Sequence, residues 1–225
     1  MLCIKNGRIH DAVHREPYTA DILIENGKLL QIGAGRLHAE QTIDAAGLEI
    51  YPGFVDAHSH IGLDGYGEPG VDINERNDIC CPQLRAIDGV NPMDESFVYA
   101  RSAGITCVCT GPGSANVLGG TFTAIKTAGT RIDDMIVKKE AAMKCAFGEN
   151  PKRCYASKCD SSRMTTAAIL REALMKARLY LQKKEAAGDD VFRQPAFDMK
   201  LEALIPVLRG QIPLKAHAHR ADDIF

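Results

Sequence analysis

The chain has 225 residues, 45% of them hydrophobic and 25% charged, with a net charge of −2 and a pI near 6.4. That is ordinary for a folded protein with a sizeable core, and it supplies no basic field for nucleic acid or an anionic membrane. No apolar run reaches the roughly eighteen residues that span a bilayer, and the start, Met1-Leu-Cys-Ile-Lys-Asn-Gly, lacks the pattern of a secretion signal. Eight cysteines fall at irregular spacings without paired Cys-x-x-Cys sets, so they read as reduced thiols of a cytosolic protein.

Residues 1–50 are predicted to be β-rich. Leu2-Cys-Ile-Lys5 precedes Asn6-Gly7, a strong hairpin signal, and Ala20–Glu25 leads into a second turn at Asn26-Gly27. Strands over 28–33 and 42–47 complete a meander with little room for a core of its own, which is expected to pack against residues 51–225. His10, His14 and His38 take its polar positions and read as surface histidines.

Tyr51-Pro-Gly-Phe-Val-Asp-Ala-His-Ser-His60 changes the pattern. A short buried strand over 54–57 follows the Pro52-Gly53 turn. Period two then sets His58 and His60 on one face at its C-terminal end. Two neutral imidazoles so placed can share a metal ion, while Asp56 reads as a structural carboxylate. A long loop over 61–93, a helix over 92–104 stopped by Gly104, and a buried strand over 104–110 come next. That strand delivers Gly111-Pro-Gly113, whose glycines let backbone approach a ligand closely, though without the Lys-Ser/Thr of a phosphate-binding P-loop. A strand-like 121–126, an undecided 133–139 and a strand over 141–148 succeed it. Glu149 stands at that last strand's mouth, before an Asn150-Pro151 break that suits a catalytic loop. Helices over 165–187 and 198–208 carry apolar stripes, and Ile212–His219 is the final strand, with His217 and His219 on one face. Alternating strands and helices are the signature of a parallel α/β arrangement.

The string Gly53-Phe-Val-Asp-Ala-His-Ser-His60, about fifty residues in and preceded by a β-rich segment, closely resembles the first barrel strand of the amidohydrolase superfamily. His217-Ala-His219 extends the resemblance along the chain, which looks most like the imidazolonepropionase-like branch of these metal-dependent hydrolases. The resemblance implies a (β/α)₈ TIM-type barrel over 51–225, with 1–50 forming part of a β-sandwich. It also implies one or two divalent ions, zinc or else iron or manganese. The implied reaction is hydrolysis of a C–N bond in a small-molecule cyclic amide, amide or peptide-like substrate by metal-activated water. His58 and His60 match the first-strand ligands, and His217 matches the strand-five histidine. His219 is implied as a substrate-binding group. Glu149 is favoured as the acidic ligand, with Lys144, as a carbamylated lysine, its rival. A complete barrel takes about 250 residues, more than 51–225 contains. Only about five barrel strands are counted, and the family's sixth-strand histidine and eighth-strand proton-shuttle aspartate have no counterpart. The chain therefore reads as the N-terminal portion of such an enzyme, in contact with a missing C-terminal half or with another copy. The alternative is an inactive metal-binding or assembly fragment.

Overall fold

Two dipeptides of the same composition, Asn6-Gly7 and Asn26-Gly27, do different work in the computed structural model, which describes residues 1–33, 39–66, 70–158 and 160–225. His38 and Cys159 fall outside the described residues. Contacts divide the chain into two units, Met1–Phe54 and Val55–Phe225.

In the first unit, strand β1 (Leu2–Ile9) runs straight through Asn6-Gly7 and pairs antiparallel with β2 (Tyr18–Glu25). The register shifts between Ile4 and Gly7, and Asn6 sits at φ +61°, so the expected hairpin turn is a β-bulge. Gly7 makes room for Ile50: a Cβ there would lie 2.1 Å from Ile50 Cδ1, so a larger residue would have to move that side chain. Asn26-Gly27 is the tight turn from β2 to β3 (Lys28–Gly33), with φ of +49° and +72°, as a type I′ turn requires. Strands β4 (Gln41–Asp44) and β5 (Glu49–Ile50) both pair parallel with β1, so the sheet is mixed and not the meander that the turn signals suggested. Ile9, Ala20 and Ile22 form its small buried cluster. His10 stacks on Tyr51 with ring centroids 4.2 Å apart and meets Glu49 at 2.5 Å, while His14 pairs with Asp11 at 2.8 Å.

The second unit runs β6 (Phe54–Ser59), α1 (Ser96–Ser102), β7 (Ile105–Thr110), β8 (Leu118–Lys126), α2 (Ile132–Met135), β9 (Ile136–Ala146), α3 (Glu149–Tyr155), α4 (Arg163–Ala187), α5 (Met199–Leu208), β10 (Leu214–His217) and α6 (Ala221–Ile224). Its sheet has the order β10-β9-β8-β7-β6. β9 and β10 are parallel, but β8 runs antiparallel to both β7 and β9. The purely parallel arrangement is therefore corrected. A parallel crossover needs a dozen or more residues, and neither the 111–117 link nor the 127–135 link has them. Residues 133–139, whose sequence fits either a helical turn or a β-segment, contain both, the single turn α2 followed at once by β9. Asn150-Pro151 is likewise no break: both lie in the first turn of α3, where proline is tolerated because the N–H has no helical partner.

Alternation along the strands separates two faces. Met143 and Cys145 of β9 join Leu118 under α4 and α5, against Ala177, Leu204 and Ile212. Asp198 caps α5 by accepting from Lys200 N at 2.9 Å and Leu201 N at 3.1 Å, and Ser162 with Thr165 forms a capping box on α4. Lys144 points to the opposite face and shares it with Lys215 and His217 of β10, Lys215 standing directly across from Lys144. The sheet curls enough for the Lys215 side chain of β10 to reach across its concave face, Nζ donating to the Ala57 carbonyl of β6. The result is a mixed half-barrel, helices outside and a polar concave face inside. No helix among the described residues is long and apolar enough to cross a membrane.

Candidate metal centre

Phe122, fully buried on β8, is the floor of the concave face. The His58 ring lies 5.2 Å from its centroid and the His60 ring 6.1 Å, while Lys215 Nζ stands 4.4 Å and Lys144 Nζ 5.8 Å away. The ring fits because residue 111 is glycine: a Cβ there would come within 2.4 Å of Phe122. The glycine expected to let backbone approach a ligand thus admits a side chain of the protein itself. Its carbonyl has a second use, lying 2.7 Å from His60 Nδ1. A carbonyl can only accept, so Nδ1 donates to it, and in the neutral tautomer that this selects Nε2 is the nitrogen with the lone pair, the arrangement found behind metal-bound histidines.

His58 and His60 lie with ring centroids 5.1 Å apart, and Asp56 accepts the His58 backbone N–H at 3.0 Å in the structural role expected of it. Desolvation, reinforced by the ammonium groups of Lys144 and Lys215, pushes His58 down to about 4. Burial first, then Lys144, His219 and His60, also lowers His217. These groups therefore share one electrostatic neighbourhood, which favours the neutral, metal-binding form of His58 and His217.

His217 Nε2 lies 3.2 Å from Asn150 Nδ2 and 2.9 Å from His219 Nε2. His219 is beyond the end of β10, yet it stays beside His217, with ring centroids 4.5 Å apart. Glu149 is the residue that the structure takes elsewhere. Its side chain is 55% exposed, and its carboxylate accepts from Lys152 Nζ at 3.2 Å and Arg163 Nη1 at 2.7 Å. Arg163 also holds Asp223 at 2.7 Å, so Glu149 serves a charge network joining α3, α4 and α6 rather than the histidine cluster. Lys144, its rival, is 1% exposed, lies on the histidine face and has no carboxylate within 4 Å among the described residues. Burial pushes it down to about 8. Among the described residues no three His, Cys, Asp or Glu side chains form a closed ligand set. The donors that fit an ion are His58 and His60, with His217 and Lys144 on the same face.

A cleft of about 580 Å³ opens beside this cluster, with His60 and Asn150 in its wall. Neither it nor Phe122 was singled out from the sequence, although Lys215 could have been, two residues before His217 on the same strand.

Family models give no match. The solved structure of an amidohydrolase from Thermotoga maritima superposes on the whole chain with a TM-score of 0.92 at 40% identity, the chain covering 60% of it. The chain belongs to the amidohydrolase superfamily. Amidohydrolase tasK of Hapsidospora irregularis is 30% identical over 92% of the chain, and the dihydroorotase of Elusimicrobium minutum 28% over 83%. The chain spans 24% and 48% of the length of those two relatives.

Proposed function

We propose that this chain contributes the metal-binding side of a hydrolase that opens C–N bonds in cyclic amides. One observation carries the reading: His60 is locked by the Gly111 carbonyl with Nε2 free, beside a His58 that is neutral at physiological pH. His58 and His60 would hold a divalent ion, zinc or else iron or manganese, with His217 next to them and Lys144, as a carbamate formed with carbon dioxide, supplying the anionic ligand in place of Glu149. When bound, the ion supplies Lewis acidity to the scissile carbonyl and to water. The protein's own part is positional. Gly111 sets the tautomer of His60, Asn150 and His219 hold His217, and Phe122 keeps water from beneath the cluster.

Dihydroorotase among the relatives supports a cyclic amide as substrate, while the imidazolonepropionase-like branch rests on the strand motifs alone. In this reading 51–225 is part of a (β/α)₈ barrel and 1–50 part of a β-sandwich. The outer edges of β6 and β10 would be completed by further strands, of the same chain or of another copy. Seven free thiols among the described residues support a cytosolic setting.

Metal content of the purified chain, measured by plasma mass spectrometry, tests the proposal. About one ion per chain is expected, lost in His58→Ala while circular dichroism is unchanged. A folded wild-type chain that takes up no zinc, iron or manganese would overturn it and leave an assembly fragment as the better description.

A further inference from the structure

A cavity of about 220 Å³ lies on the outer side of the sheet, where residues 82–85 and α5 close over β8 and β9. Alternation puts Thr121 of its wall and Phe122 on opposite faces of β8, so the sheet stands between this cavity and the histidine cluster. Two side chains of the wall carry buried polar atoms without a hydrogen-bond partner among the described residues. One is Thr121 Oγ1, on a residue only 4% exposed, and the other is Gln83 Oε1. Buried hydroxyl and amide oxygens are almost always hydrogen-bonded, and leaving one unmet is costly, so two in the wall of one cavity point to a missing partner. Glu140 of β9 adds a carboxylate with no cation within 4 Å among the described residues. The other charged groups here are already engaged. Arg85 holds Asp88 through Nε at 2.9 Å and Nη2 at 2.7 Å, and Glu202 accepts from Lys184 Nζ and, at 2.6 Å, from the Tyr180 hydroxyl.

Three acceptors are therefore open, a hydroxyl, an amide oxygen and a carboxylate, and Pro82, Ala203 and Pro206 supply apolar wall. A primary ammonium has three N–H donors and no acceptor, which matches them in number and in sign. The cavity has the liquid volume of about seven waters, too roomy for a bare metal ion and enough for a short alkyl chain. Met199 in its wall is unbranched and 60% exposed, so it can yield to admit one. We propose that this cavity binds a small aliphatic primary ammonium ion, whose N–H groups donate to Glu140, Gln83 Oε1 and Thr121 Oγ1 while its chain lies against the prolines. The site takes nothing from the histidine cluster and stands apart from the hydrolase reading.

The test titrates n-butylammonium chloride calorimetrically into the 225-residue chain at constant ionic strength, beside butan-1-ol and butyltrimethylammonium chloride. The alcohol keeps the chain without the charge, and the quaternary ion keeps the charge without an N–H. Butylammonium is expected to bind saturably and about tenfold more tightly than either, the scale of a charge-assisted hydrogen bond. E140Q should weaken it about tenfold, and T121V, which puts a methyl group where the hydroxyl was, about threefold. Glu140 is half-buried, so E140Q should melt with the wild type. T121V should melt no lower, because it removes a buried hydroxyl that nothing satisfies. Binding of the alcohol or of the quaternary ion as tight as that of butylammonium would overturn the proposal, as would an affinity that either variant leaves unchanged. Absence of saturable heat would overturn it too and leave a cavity for water only. His58→Ala should bind butylammonium as the wild type does, so this affinity and the metal content report on separate readings.

Discussion

At position 111 the main chain must give His60 its acceptor and leave room for the Phe122 ring, and only a residue without a Cβ does both. Gly111→Ala would push the ring from beneath His58 and Lys215. It is expected to cost about 1–3 kcal/mol, the usual range for overpacking a filled core, as read by denaturant unfolding. Gly119→Ala is the control: its Cβ would meet nothing nearer than Lys144 Cγ at 3.5 Å, so the change should be close to neutral. The histidines of this site were legible from spacing, because period two on a strand leaves no doubt about which side chains share a face. Phe122 was not, because alternation marks an aromatic residue only as buried and does not say what rests on it. Glu149 misled for a related reason. Its place at the end of a strand resembled a ligand position, and nothing in the linear order announced that Arg163 and Lys152 would take its carboxylate.

Among the elements, the helices were easier to read than the direction of the strands. The stripe of α4 and the Asp198 cap of α5 are local signals. A buried strand has the same period whether it runs up or down, so β8 could be placed but not oriented. The tie between α5 and the loop after β6 was invisible in the sequence: Lys200 Nζ donates to Asp78, far from it along the chain. Burial, the largest single influence, raises Asp78, but its bonds to Lys200 and to the Cys80 N–H, with the charges of Lys200 and Lys158, together outweigh it and leave the carboxyl below its ordinary 3.8. A group whose folded pKa is depressed stabilises above its unfolded value and loses that contribution as pH falls through the folded one. Asp78→Asn should therefore melt below the wild type near pH 7 by an amount worth about 0.5 kcal/mol, the scale of a largely exposed pair. The two should converge as the pH drops below 3.8. Thermal melts of both proteins across pH 3–7 measure this, and a difference that persists in acid would exclude the ion pair as its source.

Across the whole sheet, the feature that matters is curvature. Lys215 on one outer strand donates to Ala57 on the other, which brings His58 and His217 onto one concave surface although their strands stand at opposite ends of the hydrogen-bonded order. Lys215→Met keeps an apolar stem over Phe122 and removes the donor. The β6 amides should then exchange with deuterium about tenfold faster, in line with the loss of one charge-assisted hydrogen bond, while those of α4 and α5 keep their rates. The same topology sets an order in time. β7, β8 and β9 are joined by the short links 111–117 and 127–135, so their pairing closes small loops, whereas β6 reaches the sheet only across 60–104 and β10 only across 147–213. Closing long loops is entropically dearer and slower. The strand that carries His58 and leads into His60, and the strand that carries His217, are therefore expected to dock after a three-stranded floor bearing Phe122 has formed, which would make the site the last part of the sheet to exist during folding.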